Sequence, residues 1–231
     1  MRRAIVVVVL LLGCREKPAP QKREPPPATS RNTTGAFAKP TRRLPPTLAT
    51  TFISSVAEAS DSAAAWTAIA DAYENELATC TKDCRAIAYE IVLARKNVVK
   101  AMKLEPPPGD GPVELPAEVK EVVDAIDAYV KMVDPTDDEV APMQFLAANA
   151  LWHWRQPEAL TRLQQFLEEH RDDPTAEYAA NQLLHSLMQQ NRLEELRAWV
   201  GELSGDETFL ANKPELRATI ARIQEALASN P

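Results

Sequence analysis

Leu146-Ala147, Ala150, Gln156-Pro157-Glu158-Ala159, Leu163 and Phe166 lead to Arg171-Asp172-Asp173-Pro174, and the same succession then returns. Its second form is Leu183-Leu184, Leu187, Asn191-Arg192-Leu193-Glu194-Glu195-Leu196, Val200 and Leu203. Each run holds an apolar stripe at three- and four-residue steps, a polar break, and a second stripe of the same kind. That spacing places one apolar face on a helix, then turns the chain into another helix. Setting Ala159 on Leu196 gives a period of 37, within the range of proteins that stack two-helix units.

Outward from this pair, the helical spacing covers the remaining body. From Thr47 to Cys80 the residues Phe52, Ile53, Val56, Ala63, Trp66, Ile69, Ala70, Tyr73 and Leu77 share a face, with Ser60 to Ser62 dividing it into two pieces. A second helix is expected from Asp83 to Leu104, with Ile87, Ile91, Val92, Val98, Val99 and Met102 inward and Arg95, Lys96, Lys100 and Lys103 outward. Glu105-Pro106-Pro107-Pro108-Gly109 stops it, because proline lacks a donor and disfavours helix at the residue before it. Pro116 suits the first turn of a third helix, striped by Val119, Val122, Val123, Ile126, Tyr129, Val130 and Val133.

Thr136 and Glu139 have capping-box spacing for a fourth helix, yet Pro142 sits too deep for an undistorted start, so a kink or a later start is expected. This helix carries Met143, Phe145, Leu146, Ala147, Ala150, Leu151 and Trp154 and breaks at Gln156-Pro157. The fifth runs to about His170. Asp173-Pro174 reads as an N-cap and first helical residue of a sixth helix through Gln190. A seventh spans Leu193 to Leu203, and an eighth begins near Pro214 with Leu216, Ile220, Ile223 and Leu227 inward. No segment alternates as a strand does. The expected fold is all-α, an array of antiparallel hairpins. With 45% of 231 residues apolar the core can be sizeable, while six Gly and clustered Pro argue against a sandwich, barrel or dinucleotide-binding domain.

On Leu146-Ala147, Ala159 and Pro174 the chain resembles the tetratricopeptide-repeat family, whose unit has a large-then-small pair on its first helix, small residues on its second, and Pro near its end. The second unit departs at Leu184 and Leu196, where small residues are usual. The resemblance covers about residues 140–205; 48–133 is compatible with it. Ala176-Glu177-Tyr178-Ala179-Ala180-Asn181-Gln182-Leu183-Leu184 and Glu195-Leu196-Arg197-Ala198-Trp199-Val200 are also similar to envelope tetratricopeptide proteins of delta-proteobacteria. The resemblance implies a short right-handed superhelix whose concave face receives a peptide or helix of a partner.

Residues 1–13 read as a signal peptide: Arg2 and Arg3, an apolar run from Ala4 to Leu12, then Leu11-Leu12-Gly13-Cys14 as a lipobox. The apolar run is shorter than the roughly 20 residues of a membrane-spanning helix. By resemblance to bacterial lipoproteins, cleavage follows Gly13, Cys14 carries the acyl chains, and Arg15 in place of Asp directs the protein to the outer membrane, facing the periplasm. Several acyl chains, palmitate among them, anchor more firmly than one. From residue 14 to about 47 the chain is expected to be a disordered linker, holding eight of the nineteen Pro and a net charge of +6 from Arg15 onward. Residues 48–231 then carry −15, which argues against nucleic acid as a partner. The expected organisation is a helical region over 48–133 and tetratricopeptide-like repeats over 134–231.

Cys80 and Cys84 leave three readings open: a bridge requiring a turn at Thr81-Lys82-Asp83, free thiols, or metal ligation. His153, His170 and His185 lie on separate helices without a metalloprotease arrangement. Trp152-His153-Trp154 puts three bulky groups on successive faces. A partner groove is assigned to Trp152, Trp154, Tyr178 and Trp199. The pairs Glu168-Glu169, Asp172-Asp173 and Glu194-Glu195 read as solvated charge, and no nucleophile elbow or phosphate loop occurs. The expected function is therefore a lipid-anchored scaffold for envelope proteins, not an enzyme, with no cofactor, metal or small-molecule substrate. The alternative is a cell-wall-acting enzyme or enzyme subunit, which requires a deep pocket with two convergent carboxyls of raised pKa; a solute-binding lipoprotein is disfavoured for lack of strands.

Overall fold

A computed structural model describes residues 62–109, 111 and 113–229. The expected signal peptide, Gly13, Cys14, the linker and the helix around Phe52 lie outside those residues. The described residues form nine helices and no strand: α1 Ala63–Leu77, α2 Cys84–Met102, α3 Ala117–Met132, α4 Val140–His153, α5 Glu158–Glu169, α6 Ala176–Gln189, α7 Leu193–Gly205, α8 Glu207–Leu210 and α9 Pro214–Ser229. None is long and apolar enough to cross a membrane. Each of α1 to α8 packs on the helix that follows it, and α9 also packs on α6 and α7.

The chain's turn chemistry sets these boundaries. Ser62, in extended conformation, accepts from the Ala65 N–H and opens α1 where the serine break was expected. Lys103, in the left-handed region with φ 52°, closes α2 ahead of the prolines. The capping box expected at Thr136 and Glu139 does not form. Instead Asp134 Oδ1 accepts from both the Thr136 N–H, at 2.8 Å, and the Thr136 hydroxyl, at 2.6 Å. The short Asp side chain outcompetes the capping geometry by closing a turn two residues on. α4 accordingly starts late, at Val140, and Pro142 falls in its first turn, where its missing donor is harmless. Asp173-Pro174-Thr175 builds the same turn, with Asp173 Oδ1 accepting from the Thr175 N–H at 2.7 Å, so α6 opens at Ala176, two residues beyond the expected first position.

Between paired helices the two units coincide more closely. Arg155 and Asn191 both adopt positive φ, at 53° and 54°. Arg155 N–H donates to the Trp152 carbonyl and Gln156 N–H to that of Leu151, while Asn191 N–H donates to Met188 and Arg192 N–H to Leu187. The structural spacing is therefore 36, not 37. In this register the buried Leu160, Leu163 and Leu167 correspond to the buried Leu196, Trp199 and Leu203. Leu196 thus takes the place of Leu160, and the apparent conflict with Ala159 disappears.

One core unites α4 to α9, including Leu163, Leu167, Leu183, Leu184, Leu187, Leu203 and Leu216, all fully enclosed. A second runs from Ala88 on α2 through Val122, Ile126 and Tyr129 on α3 to Met143 and Leu151 on α4 and Ala159 on α5, so packing continues across residues 133 and 134. A third joins α1 to α2 through Ile69, Ala70, Tyr73, Ile87 and Ile91.

Two residues depart from their expected sides of α2. Met102 is 41% exposed as the last residue of the helix, although Val99 in the same turn still packs on the second core. Arg95 is buried rather than outward. Its guanidinium lies 2.8 Å from Asp71 and 2.7 Å from Glu74, both on α1, and 3.0 Å from Glu121 on α3. Burial alone would lower its pKa, but the Glu74 hydrogen bond and the charges of Glu74, Glu121 and Asp71 raise it above the ordinary value. One fork of five donors ties three helices together, which a lysine could not do. The short helix α8 was not expected. Asp206 caps it, accepting from the Phe209 N–H at 2.9 Å, and so inserts Phe209 and Leu210 into the core.

Replacing Arg95 with Ala leaves the three carboxylates facing one another and should lower the unfolding free energy by about 2 kcal/mol, measured by urea denaturation, with part of the loss regained at high salt. The Asp206 carboxyl is held below the usual range by the Phe209 N–H and then by Arg171 and Lys213. A folded pKa below the unfolded one stabilises above the ordinary value of about 3.9, and that contribution fades as pH falls through the lower folded value. Asp206→Ala should therefore cost about 1 kcal/mol at neutral pH, with the gap between the two proteins closing in acid denaturation series below that range.

Candidate functional site

Helices α4 and α6 lie side by side, and the face they share is polar between two aromatic ends. Four-residue steps on α4 align Phe145 with Asn149, and Trp152 follows three residues on; on α6 they align Tyr178 with Gln182 and Ser186. Gln182 Nε2 donates to Asn149 Oδ1 at 2.6 Å. Trp152 Nε1 donates to Ser186 Oγ at 2.9 Å, and Ser186 passes a hydrogen bond to the Gln182 carbonyl at 2.8 Å. Ser186 is one of two buried polar or charged residues among those described, the other being Arg95. His185 meets the Trp152 ring edge-on with centroids 6.2 Å apart. Phe145 packs on Phe166 of α5, and the Phe166 ring also meets that of His170, whose Nε2 lies 2.5 Å from Gln144 Oε1.

The opposite helix row is joined by arginines. Arg162 on α5 grips both oxygens of Asp127 on α3, at 2.6 and 2.7 Å, and Arg171 after α5 reaches Glu202 and Asp206 at the end of α7. The Asp127 hydrogen bond raises the Arg162 pKa despite burial. The ties that cross between hairpins thus span 33 to 35 residues in four cases: Asn149 to Gln182, Trp152 to Ser186, Asp127 to Arg162, and Arg171 to Asp206.

The structure does not bring the expected groove residues together. Trp154 and Trp199 are 6% and 8% exposed and belong to the packed interior, since the α4–α5 turn folds Trp154 inward and α7 presents Trp199 to the core. Trp152 is half-buried beside a cavity, and Tyr178 is 66% exposed on the first turn of α6. The three-residue run 152–154 divides as its spacing requires, with His153 exposed between the two indoles. Sequence reasoning missed Asn149, Gln182 and Ser186; their four-residue alignment with Phe145 and Tyr178 was the available signal.

Cys80 and Cys84 are joined by a disulfide, with Cα atoms 5.6 Å apart across the corner from α1 to α2. Asp83, at φ 56°, supplies the required change of direction. Glu168, Glu169, Asp172 and Glu194 are exposed, with Asp173 and Glu195 half-buried. The Asp134 carboxyl, bonded to the Thr136 hydroxyl and N–H, and the Asp206 carboxyl, bonded to the Phe209 N–H, are both held below the usual range. Burial, with Glu90 and Glu76 close by, pushes the Tyr73 phenol up to about 12, keeping it a neutral core group. Among the described residues no cluster of His, Cys, Asp or Glu has the arrangement of a metal site.

Compared with protein-family models, with curated proteins and with solved structures, the chain finds no match.

Trp152→Phe keeps an aromatic ring but removes the N–H that satisfies Ser186. It should cost about 1 kcal/mol in thermal or urea unfolding with helical content unchanged, and the Ser186→Ala variant should make the second substitution nearly silent.

Proposed function

We propose that this chain is a lipoprotein, anchored in the outer membrane through Cys14, whose periplasmic tetratricopeptide-like helical array is a docking scaffold for other envelope proteins. The observation that carries the reading is the recurrence, 36 residues apart, of one helix–turn–helix unit with the same positive-φ turn at Arg155 and Asn191. Stacked units of this kind present one helix of each pair on a common face, and an extended or helical segment of a partner can lie across it. The row from Phe145 and Tyr178 through Asn149 and Gln182 suits that use: aromatic ends give contact area at low entropic cost, and side-chain amides can both donate and accept. The lipobox Leu11-Leu12-Gly13-Cys14 supports the anchor, and the net +6 of the linker adds attraction to anionic headgroups, about 1 kcal/mol per cation at the surface.

The test is site-specific photo-crosslinking in intact cells. Probes at Phe145, Asn149, Tyr178 and Gln182 should trap one and the same envelope protein, while probes at Glu168 and Arg197, on the other helix row, should not. Equal trapping from both rows, or none from either while the protein stays folded, counts against the scaffold. Separately, Cys14→Ser should abolish palmitate labelling and release the protein from membranes; unchanged fractionation would sink the anchor.

A further inference from the structure

A cavity of about 400 Å3 opens between the α4–α5 turn, the proline loop before α3, and the C-terminal half of α6. Its volume lies in the range of small-molecule sites. We propose that this cavity binds a small anion, a carboxylate or a phosphate, carried on a flat apolar body, with Arg155 taking the charge and Trp152 forming the wall for the body. The claim concerns a pocket at one end of the helices and does not rest on the docking face.

Arg155 is the reason for an anion. The other half-buried arginines that join separate helices or loops, Arg162 and Arg171, hold carboxylates, as does the buried Arg95. Arg155 makes no ion pair among the described residues; its guanidinium donates to the Pro107 carbonyl, which uses one of five donors. It is nevertheless held in place. The backbone at Arg155 is in the left-handed region, its side chain is pinned by Pro107, and Gly109, at φ 121°, lies beside it, where a Cβ would meet Nη1 at an ordinary contact distance of 3.8 Å. Gln156 fastens the same loop, donating to the Val113 carbonyl at 2.6 Å. A prepositioned fork whose other donors no described residue takes is the geometry that recognises carboxylate or phosphate in two-point fashion.

The walls agree. Trp152 cannot rotate freely because Ser186 holds its N–H and His185 abuts its edge. His153, His185, Gln189 and Gln190 complete the polar lining, and no carboxylate is among the described residues that line the cavity. In a body of net charge −15 that is a local exception, and it removes the contact repulsion an anion would meet elsewhere on this surface.

The probes are sodium benzoate, phenyl phosphate and neutral benzyl alcohol, titrated into the full-length chain while the Trp152 indole N–H is followed by NMR, to about 20 mM, since a fragment this small binds with a roughly millimolar Kd. At least one anion should give saturable shifts and benzyl alcohol none; which anion binds more tightly tells carboxylate from phosphate. Arg155→Gln should weaken binding about tenfold and Arg155→Lys less. Gln189→Glu, an exposed change, should give a comparable loss and serves if the first variant misfolds. Asp110, next to Gly109 in sequence, supplies a control: Asp110→Asn should leave the Kd within about twofold, because Arg155 is taken to be open to ligands. Absence of shifts, equal shifts with benzyl alcohol, or binding that emerges only in Asp110→Asn overturns the proposal.

Discussion

No helix here can enclose its apolar stripe alone, and the structure follows from how each stripe is covered by its neighbours. Leu163, Phe166 and Leu167 of α5 are enclosed only because α4 lies on one side and α6 on the other, and the same is true of Leu183, Leu184 and Leu187 one helix later. Stability of this kind is a sum over adjacent interfaces. It makes the connections decisive, since a turn that misdirects one helix uncovers two cores.

Two devices meet that requirement. Asp-Pro-Thr closes the approach to α4 and to α6 by the same carboxylate-to-backbone bond, and a left-handed residue closes the turn after each. Neither Arg155 nor Asn191 is glycine, so each turn carries a conformational cost for its residue type, smaller for asparagine. Polar ties then set the spacing of successive hairpins: amides and an indole on one row, arginine forks on the other. The forks at Arg95, Arg162 and Arg171 join elements that lie far apart in sequence, each matching carboxylates of an acidic body with a cation.

The apolar spacing was enough to read the helices, their order and most of their inward faces, because period and burial are coupled directly on an amphipathic helix. It was not enough for Arg95, whose inward turn depends on three carboxylates brought from α1 and α3, nor for Met102, which continues the apolar stripe but stands exposed as the last residue of its helix. The 37-residue register set Ala159 on Leu196 and so erred by one, whereas burial and the two positive-φ turns align Leu160 with Leu196. Helix α8 is too short to leave a periodic signal. At the candidate face, aromatic content drew attention to Trp154 and Trp199, which are core, while Asn149, Gln182 and Ser186 were overlooked because polar residues on a helix read as solvated until a second helix lies beside them.

The disulfide at the α1–α2 corner spans three intervening residues. Every residue that link needs lies within 80–84, so the corner can be tied without help from any later helix. Its geometry is a property of five residues of chain, whereas the polar ties between hairpins each need a second helix to be in place.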